Sequence, residues 1–137
     1  WDAAGTLYAS EFGQNTWDEL NVIEPGANYG WPEVEGIAGH EGFVDPVQQW
    51  DPAEASPSGI AVSGNSLYIA NLRGEVLREV PLGALGESIE HWAGEHGRLR
   101  DVAVAPDNSL WVLTNNTDGR GNPGPEDDRI LRLEPGS

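Results

Sequence analysis

The sequence predicts an all-β fold, about three blades of a β-propeller, carried by a single partial propeller domain over residues 1–137. Three observations support this. Eighteen Gly and ten Pro punctuate the 137 residues too often for long helices. One strand-like motif occurs three times: Thr6-Leu7-Tyr8-Ala9-Ser10-Glu11, Ser66-Leu67-Tyr68-Ile69-Ala70-Asn71 and Ser109-Leu110-Trp111-Val112-Leu113-Thr114. The copies are offset by about 60 and about 43 residues, close to the roughly 40–50-residue period of propeller blades.

The elements follow in chain order. A first blade over about 1–32 has a turn at Ala4-Gly5, the first motif as its central strand, and an outer run Glu19–Gly26. Its inner run would precede Trp1. The longer first interval reads as an insertion over 33–56, rich in Gly, Pro and acid. A second blade over about 57–94 has an inner run Ser58–Ser63, a turn at Gly64-Asn65, the second motif, and an outer run Glu75–Pro81. Leu82–Glu90 is helix-like but interrupted by Gly86, and reads as a loop or outer strand. A third blade over about 97–135 repeats the plan with Arg100–Ala105, Asp107-Asn108, the third motif and Arg129–Gly136. A ring typically needs at least four blades. The expectation is a chain that belongs to something larger, either a fragment or one copy of an assembly.

Seven basic residues against 23 acidic ones give a net charge of −16. Such a surface repels nucleic-acid phosphates and anionic lipid, and it suits cation binding. No apolar run is long enough to span a membrane as a helix. With no Cys there are no disulfides, thiolate metal sites or Cys nucleophiles. Gly119-Arg120-Gly121-Asn122-Pro123-Gly124 fits a dinucleotide-binding glycine pattern literally but opens no helix, and Pro123 and Pro125 break the region. His40, His91 and His96 read as loop or surface residues. Trp31 and Trp111 fall in blade patterns, which favours core packing over sugar stacking.

Several stretches in order resemble one family. They are Ser10-Glu11-Phe12-Gly13, Asp18-Glu19-Leu20-Asn21, Gly26-Ala27-Asn28-Tyr29-Gly30-Trp31-Pro32, Ser58-Gly59-Ile60-Ala61, Asn71-Leu72-Arg73-Gly74, Gly97-Arg98-Leu99-Arg100-Asp101-Val102 and Leu113-Thr114-Asn115. Together they resemble the second half of the soluble pyrroloquinoline quinone (PQQ) dependent aldose sugar dehydrogenases, the glucose/sorbosone dehydrogenases. These are six-bladed propellers. The resemblance implies a fragment of a quinoprotein that oxidises an aldose sugar with PQQ and calcium, incomplete on its own. The catalytic His base and an Arg-Asn pair would lie before Trp1, so no catalytic residue is expected in this chain. The resemblance also implies a secreted or periplasmic location. As partners it implies a small-molecule sugar and either the missing propeller half or a second copy of the chain.

The resemblance places the cofactor's carboxylates against Arg73, Arg98 and Arg100, where the family has two Arg and a Lys; Arg73 takes the Lys position. Arg98 and Arg100 are two apart, so a regular strand would turn both to one side. On residue chemistry alone, all three also fit surface ion pairs with the abundant acids. Calcium takes hard oxygen ligands. The resemblance assigns it the backbone carbonyls of Gly13 and Gln14. A second ion in some members uses the positions of Glu19 (carboxylate) and Tyr29 (carbonyl), and Glu35 and Asp45 are candidates to complete it. Asp18 and Glu19 also fit an acidic edge opening a strand. Phe12 and Asn115 depart from the family's Gln and Asp. Two further readings stay open: a non-enzymatic propeller used for binding or as a scaffold, and a lactonase-like, metal-dependent hydrolase.

Overall fold

The computed structural model describes residues 1–135; Gly136, the end of the third outer run, lies outside the described residues. Among the described residues there are ten strands. They are β1 (Leu7–Glu11), β2 (Asp18–Ile23), β3 (Gln48–Trp50), β4 (Pro57–Ser63), β5 (Ser66–Asn71), β6 (Val76–Pro81), β7 (Ile89–His91), β8 (Leu99–Val104), β9 (Leu110–Thr114) and β10 (Ile130–Leu133). They form three antiparallel sheets in the orders β1-β2-β3, β4-β5-β6-β7 and β8-β9-β10. Each sheet is a blade meandering outward from its inner strand, and the first blade starts at its second strand. The fold is therefore all-β and matches three blades of a propeller.

Two stretches acquire definite strands. The 33–56 segment, read as an insertion, carries β3, which pairs with β2 through Asp18↔Trp50 and Leu20↔Gln48. Its loops hide the strand in the sequence because only three residues pair. Ile89–His91 becomes the outermost strand of the second blade, against Leu77–Glu79.

Blade stacking follows from strand alternation. In β5, Leu67 and Ile69 face the first blade, with Tyr8, Leu20, Trp50, Ala55 and Val80. Tyr68 and Ala70 face the third, with Leu77, Leu99, Val102, Leu110 and Val112. Both faces of the middle sheet are thus buried, and the motif Ser66–Asn71 carries apolar residues at successive positions. In β9 only Leu110, Val112 and Thr114 are covered; Trp111 and Leu113 are exposed on the other face. The expectation that Trp31 and Trp111 pack in a core is not met. Trp111 is 49% exposed because no blade of this chain lies against that face, and Trp31 is 60% exposed in a loop.

The inner strands approach closely at Gly59, where an added Cβ would lie 2.7 Å from the Asp101 Cα and overlap its carboxylate. The backbone of β4 and β8 meets there with no space for a side chain. Gly59→Ala is expected to destabilise the fold by about 1–3 kcal/mol, the usual effect of overpacking. Urea denaturation checks this. An unchanged midpoint would show that β8 moves aside freely.

Candidate functional site

The register brings the sequence-derived candidates to one end of the blades. β1 ends at Glu11, opposite Glu19 at the start of β2. The Ser10 hydroxyl donates to the Ser58 carbonyl at 2.8 Å, which sets the end of β1 beside the start of β4. Pro57 pairs with Asn71, so β5 ends here too, followed by Arg73. Arg100 Nη1 donates to the Ser58 hydroxyl at 3.1 Å, which adds the start of β8. Gly13, Gln14, Glu19, Arg73, Arg98 and Arg100 therefore all sit at this end.

The three arginines are held differently. Arg73 lies in the tight turn between β5 and β6, fixed by Leu72 N–H to the Ser56 carbonyl (3.0 Å) and Gly74 N–H to the Ala55 carbonyl (2.9 Å). Its side chain is exposed and has no hydrogen bond or ion pair with any described residue. Arg100 is exposed and bonds the Ser58 hydroxyl, with no carboxylate partner among the described residues. Arg98 is 7% exposed and paired with Asp118 at 3.2 Å, and its backbone N–H donates to Asn116 Oδ1 at 2.8 Å. The expectation that Arg98 and Arg100 share one strand face needs correction. Arg98 precedes β8, and the register shifts between Leu99 and Asp101, so a bulge at Arg100 breaks the alternation. Arg98 turns to the 116–121 loop and Arg100 to the neighbouring blade.

The Gly13–Trp17 loop is held by carboxylates. Gly13 N–H donates to Asp18 Oδ1 at 2.9 Å. Thr16 and Trp17 N–H donate to Glu35 Oε2 at 3.0 and 3.2 Å. Removal from water pushes the Glu35 carboxyl up, but the amides of Thr16, Trp17, Asn15 and Gln14 outweigh this and hold it below the usual range. No described donor reaches the Gly13 or Gln14 carbonyl. Glu11 shifts the other way, raised mainly by burial and further by Glu19 and Glu35.

The carboxylates named for a second ion already accept hydrogen bonds, whereas no described donor reaches the Tyr29 carbonyl. Glu19 accepts from Gly36 N–H (2.6 Å) and from Asn21 Nδ2 (3.1 Å). The Tyr29 hydroxyl donates to the Val22 carbonyl and accepts from Glu24 N–H, at the other end of β2. Asp45 accepts from the amides of Ala38 and Gly39. Among the described residues no group of three or more His, Cys, Asp or Glu could hold a metal ion. The histidines do structural work: His91 bonds Glu79 at 2.8 Å, His40 stacks on Phe43, and His96 meets Trp92 edge-on. The sequence reading missed Asp18 and Asp128 as loop anchors. A short acidic side chain beside a turn is the available signal, and it is common in any acidic chain.

Blades stacked around an axis, with uncommitted cations at one end, define part of a β-propeller with a rim suited to an anion. The chain belongs to the glucose/sorbosone dehydrogenase family, whose model matches residues 1–132. It is similar to the PQQ-bound aldose sugar dehydrogenase of Streptomyces coelicolor: 56% identity, TM-score 0.93, covering 98% of this chain and 41% of that one. It is also similar to a Thermus thermophilus structure described as a putative oxidoreductase (glucose dehydrogenase): 39% identity, TM-score 0.86, covering 98% and 43%. Aldose sugar dehydrogenase YliI of Escherichia coli is 25% identical over 85% of this chain and 37% of its own length. The chain thus spans well under half the length of these relatives.

Asp128 accepts from Thr117 Oγ1, from Asn116 N–H and from Thr114 Oγ1, and so ties the loop beside Arg98. The Thr117 hydroxyl first, then the Asn116 amide, hold its carboxyl below the ordinary value. A depressed folded-state pKa adds stability that is present above the unfolded value, about 3.9, and is lost as pH falls through the folded one. The protection factors of the amides of residues 114–117, exchange rates taken relative to the intrinsic rate at each pH, are therefore expected to fall below about pH 4. Asp128→Asn should lower those protection factors already at pH 7. An exchange rate in Asp128→Asn equal to wild type would show that the loop does not depend on the carboxylate.

Proposed function

We propose that this chain is the second-half portion of a quinoprotein dehydrogenase that oxidises an aldose sugar, with PQQ as cofactor and calcium beside it. The observation that carries the proposal is the pair Arg73 and Arg100. Two arginines with no carboxylate partner among the described residues, on a chain of charge −16, are poised for an external anion. The PQQ-bound Streptomyces coelicolor relative supports the choice of anion. These features favour the dehydrogenase over a cofactor-free module or a hydrolase.

The residues present fit the group. Arg73 and Arg100 would hold the cofactor's carboxylates through charge-assisted hydrogen bonds. Arg98, largely neutralised by Asp118, would supply a buried positive wall. The free carbonyls of Gly13 and Gln14 suit a hard divalent cation. Glu19, which already accepts from Gly36 N–H and Asn21 Nδ2, and the Tyr29 carbonyl, which no described donor reaches, would hold a second ion. Bound at the arginines, PQQ would supply the hydride-accepting chemistry that oxidation of a sugar at its anomeric carbon needs. Ser58 orients Arg100, and Ser56 with Ala55 orients the Arg73 turn. The proton acceptor would be the family's His outside this chain.

The same reading includes further propeller sheets, from the rest of a longer protein or a second copy. The uncovered face of Val104, Trp111, Leu113 and Ile130 fits such a sheet. A secreted or periplasmic location is part of the proposal through the family likeness. No described helix is long and apolar enough to cross a membrane.

Titration of the purified protein with PQQ, followed by absorbance, tests the site. Arg73→Ala and Arg100→Ala are each expected to weaken binding roughly 10–100-fold, as for a lost hydrogen bond to a charged group. Variants that bind like wild type, or a wild type that takes up no PQQ, would overturn the cofactor site. In a dye-linked sugar oxidation assay with PQQ and calcium, residues 1–137 alone are expected to show no turnover. A missing general base typically lowers rate about 10²–10⁴-fold, before any loss from an open pocket. Turnover near that of an intact family enzyme would place the catalytic set within this chain.

A further inference from the structure

We infer that Asp118 is a positioning residue for the cofactor site, acting through Arg98: its charge offsets that of the buried guanidinium and so limits how tightly a cofactor carboxylate is held there. The inference rests on the reading that Arg98 lies against PQQ.

Each partner is held independently of the other. Asp118 Oδ1 accepts the Arg120 N–H at 2.8 Å. Its Oδ2 accepts Asn115 Nδ2 at 3.0 Å and Arg98 Nη2 at 3.2 Å. Two of these three donors belong to the loop that carries Asp118, so the carboxylate keeps its place without Arg98. Arg98 is fixed through its backbone: its N–H donates to Asn116 Oδ1 and its carbonyl accepts from Asn115 N–H, both at 2.8 Å. Asn116 Nδ2 donates to the His96 carbonyl at 2.9 Å, so one amide side chain spans Gly97. A Cβ on Gly121 would lie 2.6 Å from the Asn116 Cα and 3.0 Å from the Arg98 Cδ. Glycine there lets the loop lie directly on the arginine stem.

The ion pair between them is only partial. One nitrogen meets one oxygen at 3.2 Å, where a full arginine–carboxylate fork makes two parallel bonds. Arg98 Nε is buried and has no hydrogen-bond partner among the described residues. An enclosed guanidinium with unused donors favours a further acceptor. An anion that approaches Arg98 also meets the negative charge of Asp118, which subtracts from the attraction. Without that charge the enclosed cation is uncompensated, which destabilises the protein on its own and strengthens its demand for an external carboxylate. Arg73 and Arg100 have no carboxylate partner among the described residues, so of the three arginines this offset falls on Arg98.

PQQ titration by absorbance, with thermal melting in the absence of PQQ, tests this on the purified protein as wild type, Asp118→Asn, Asp118→Glu and Asp107→Asn. Asp118→Asn keeps the shape and one accepting oxygen but removes the charge. Its PQQ Kd is expected to fall roughly 10-fold, the order of one partly screened neighbouring charge, while its melting temperature drops. Asp118→Glu restores the charge and should return the Kd toward wild type. Asp107 is the matched comparison: it accepts Arg132 Nη2 at 2.9 Å and the Ser109 N–H at 3.0 Å, at the opposite end of the third blade. Asp107→Asn should lower the melting temperature and leave the Kd unchanged, as a purely structural Asp118 would. If Asp118→Asn fails to fold, Asp118→Ser, a hydroxyl acceptor without the charge, carries the comparison. A Kd in Asp118→Asn equal to or above wild type, or an equal fall in Asp107→Asn, overturns the role of Asp118 and leaves the cofactor reading intact. A wild type that takes up no PQQ overturns both.

Discussion

The site end of this molecule depends on one buried carboxylate. Asp18, 2% exposed, accepts the Gly13 N–H at 2.9 Å and the Ser56 N–H at 2.7 Å. Ser56 in turn accepts from Leu72 in the Arg73 turn. One side chain thus ties the 13–17 loop of the first blade to the Arg73 turn of the second. A carboxyl group this enclosed has lost water from its oxygens, and hydrogen-bond donors must replace it. Two backbone amides do so here, and they are drawn from different blades. The relative placement of Gly13 and Arg73 is therefore a property of the Asp18 network rather than of either loop alone.

The same economy of charge runs through the chain. With 23 acids and seven arginines, most carboxylates cannot find a cation. Asp18, Glu19, Glu35, Asp45 and Asp128 instead accept backbone N–H groups and fix loops. This suits a propeller, whose loops carry the chemistry while its sheets supply stacking area. It also explains why an arginine without a carboxylate partner is informative. Arg78, Arg98 and Arg132 are paired with acids. Arg73 and Arg100, at one end of the blades, have no such partner among the described residues.

Stacking is what makes these loops converge. Each blade buries one alternating set of residues against its neighbour, and β5 is apolar on both faces because it lies between two blades. The middle sheet is consequently the most enclosed, with Leu67, Ile69, Ala70, Leu77 and Val80 at 0–1% exposure. The outer face of the third blade keeps the same kind of apolar residues without a cover.

The sequence by itself determined the strand plan. Its alternation, its turn residues and the threefold recurrence of one motif were enough to place β1, β5 and β9 and their partners, because those signals are local. It also placed Gly13, Gln14, Arg73, Arg98 and Arg100 as candidates, through motif likeness and the scarcity of cations. Tertiary structure alone decided how they are used. The bulge after Leu99 parts Arg98 from Arg100, and no residue type announces a bulge there. The 33–56 segment hid β3, because a three-residue strand has too little alternation to be read. Glu35 lies 18 and 19 residues from the two amides that donate to it, and Asp18 lies 38 residues from Ser56. Such pairings exist only once the blades have stacked, because hydrogen bonds between distant loops are set by three-dimensional closure and leave no period in the chain.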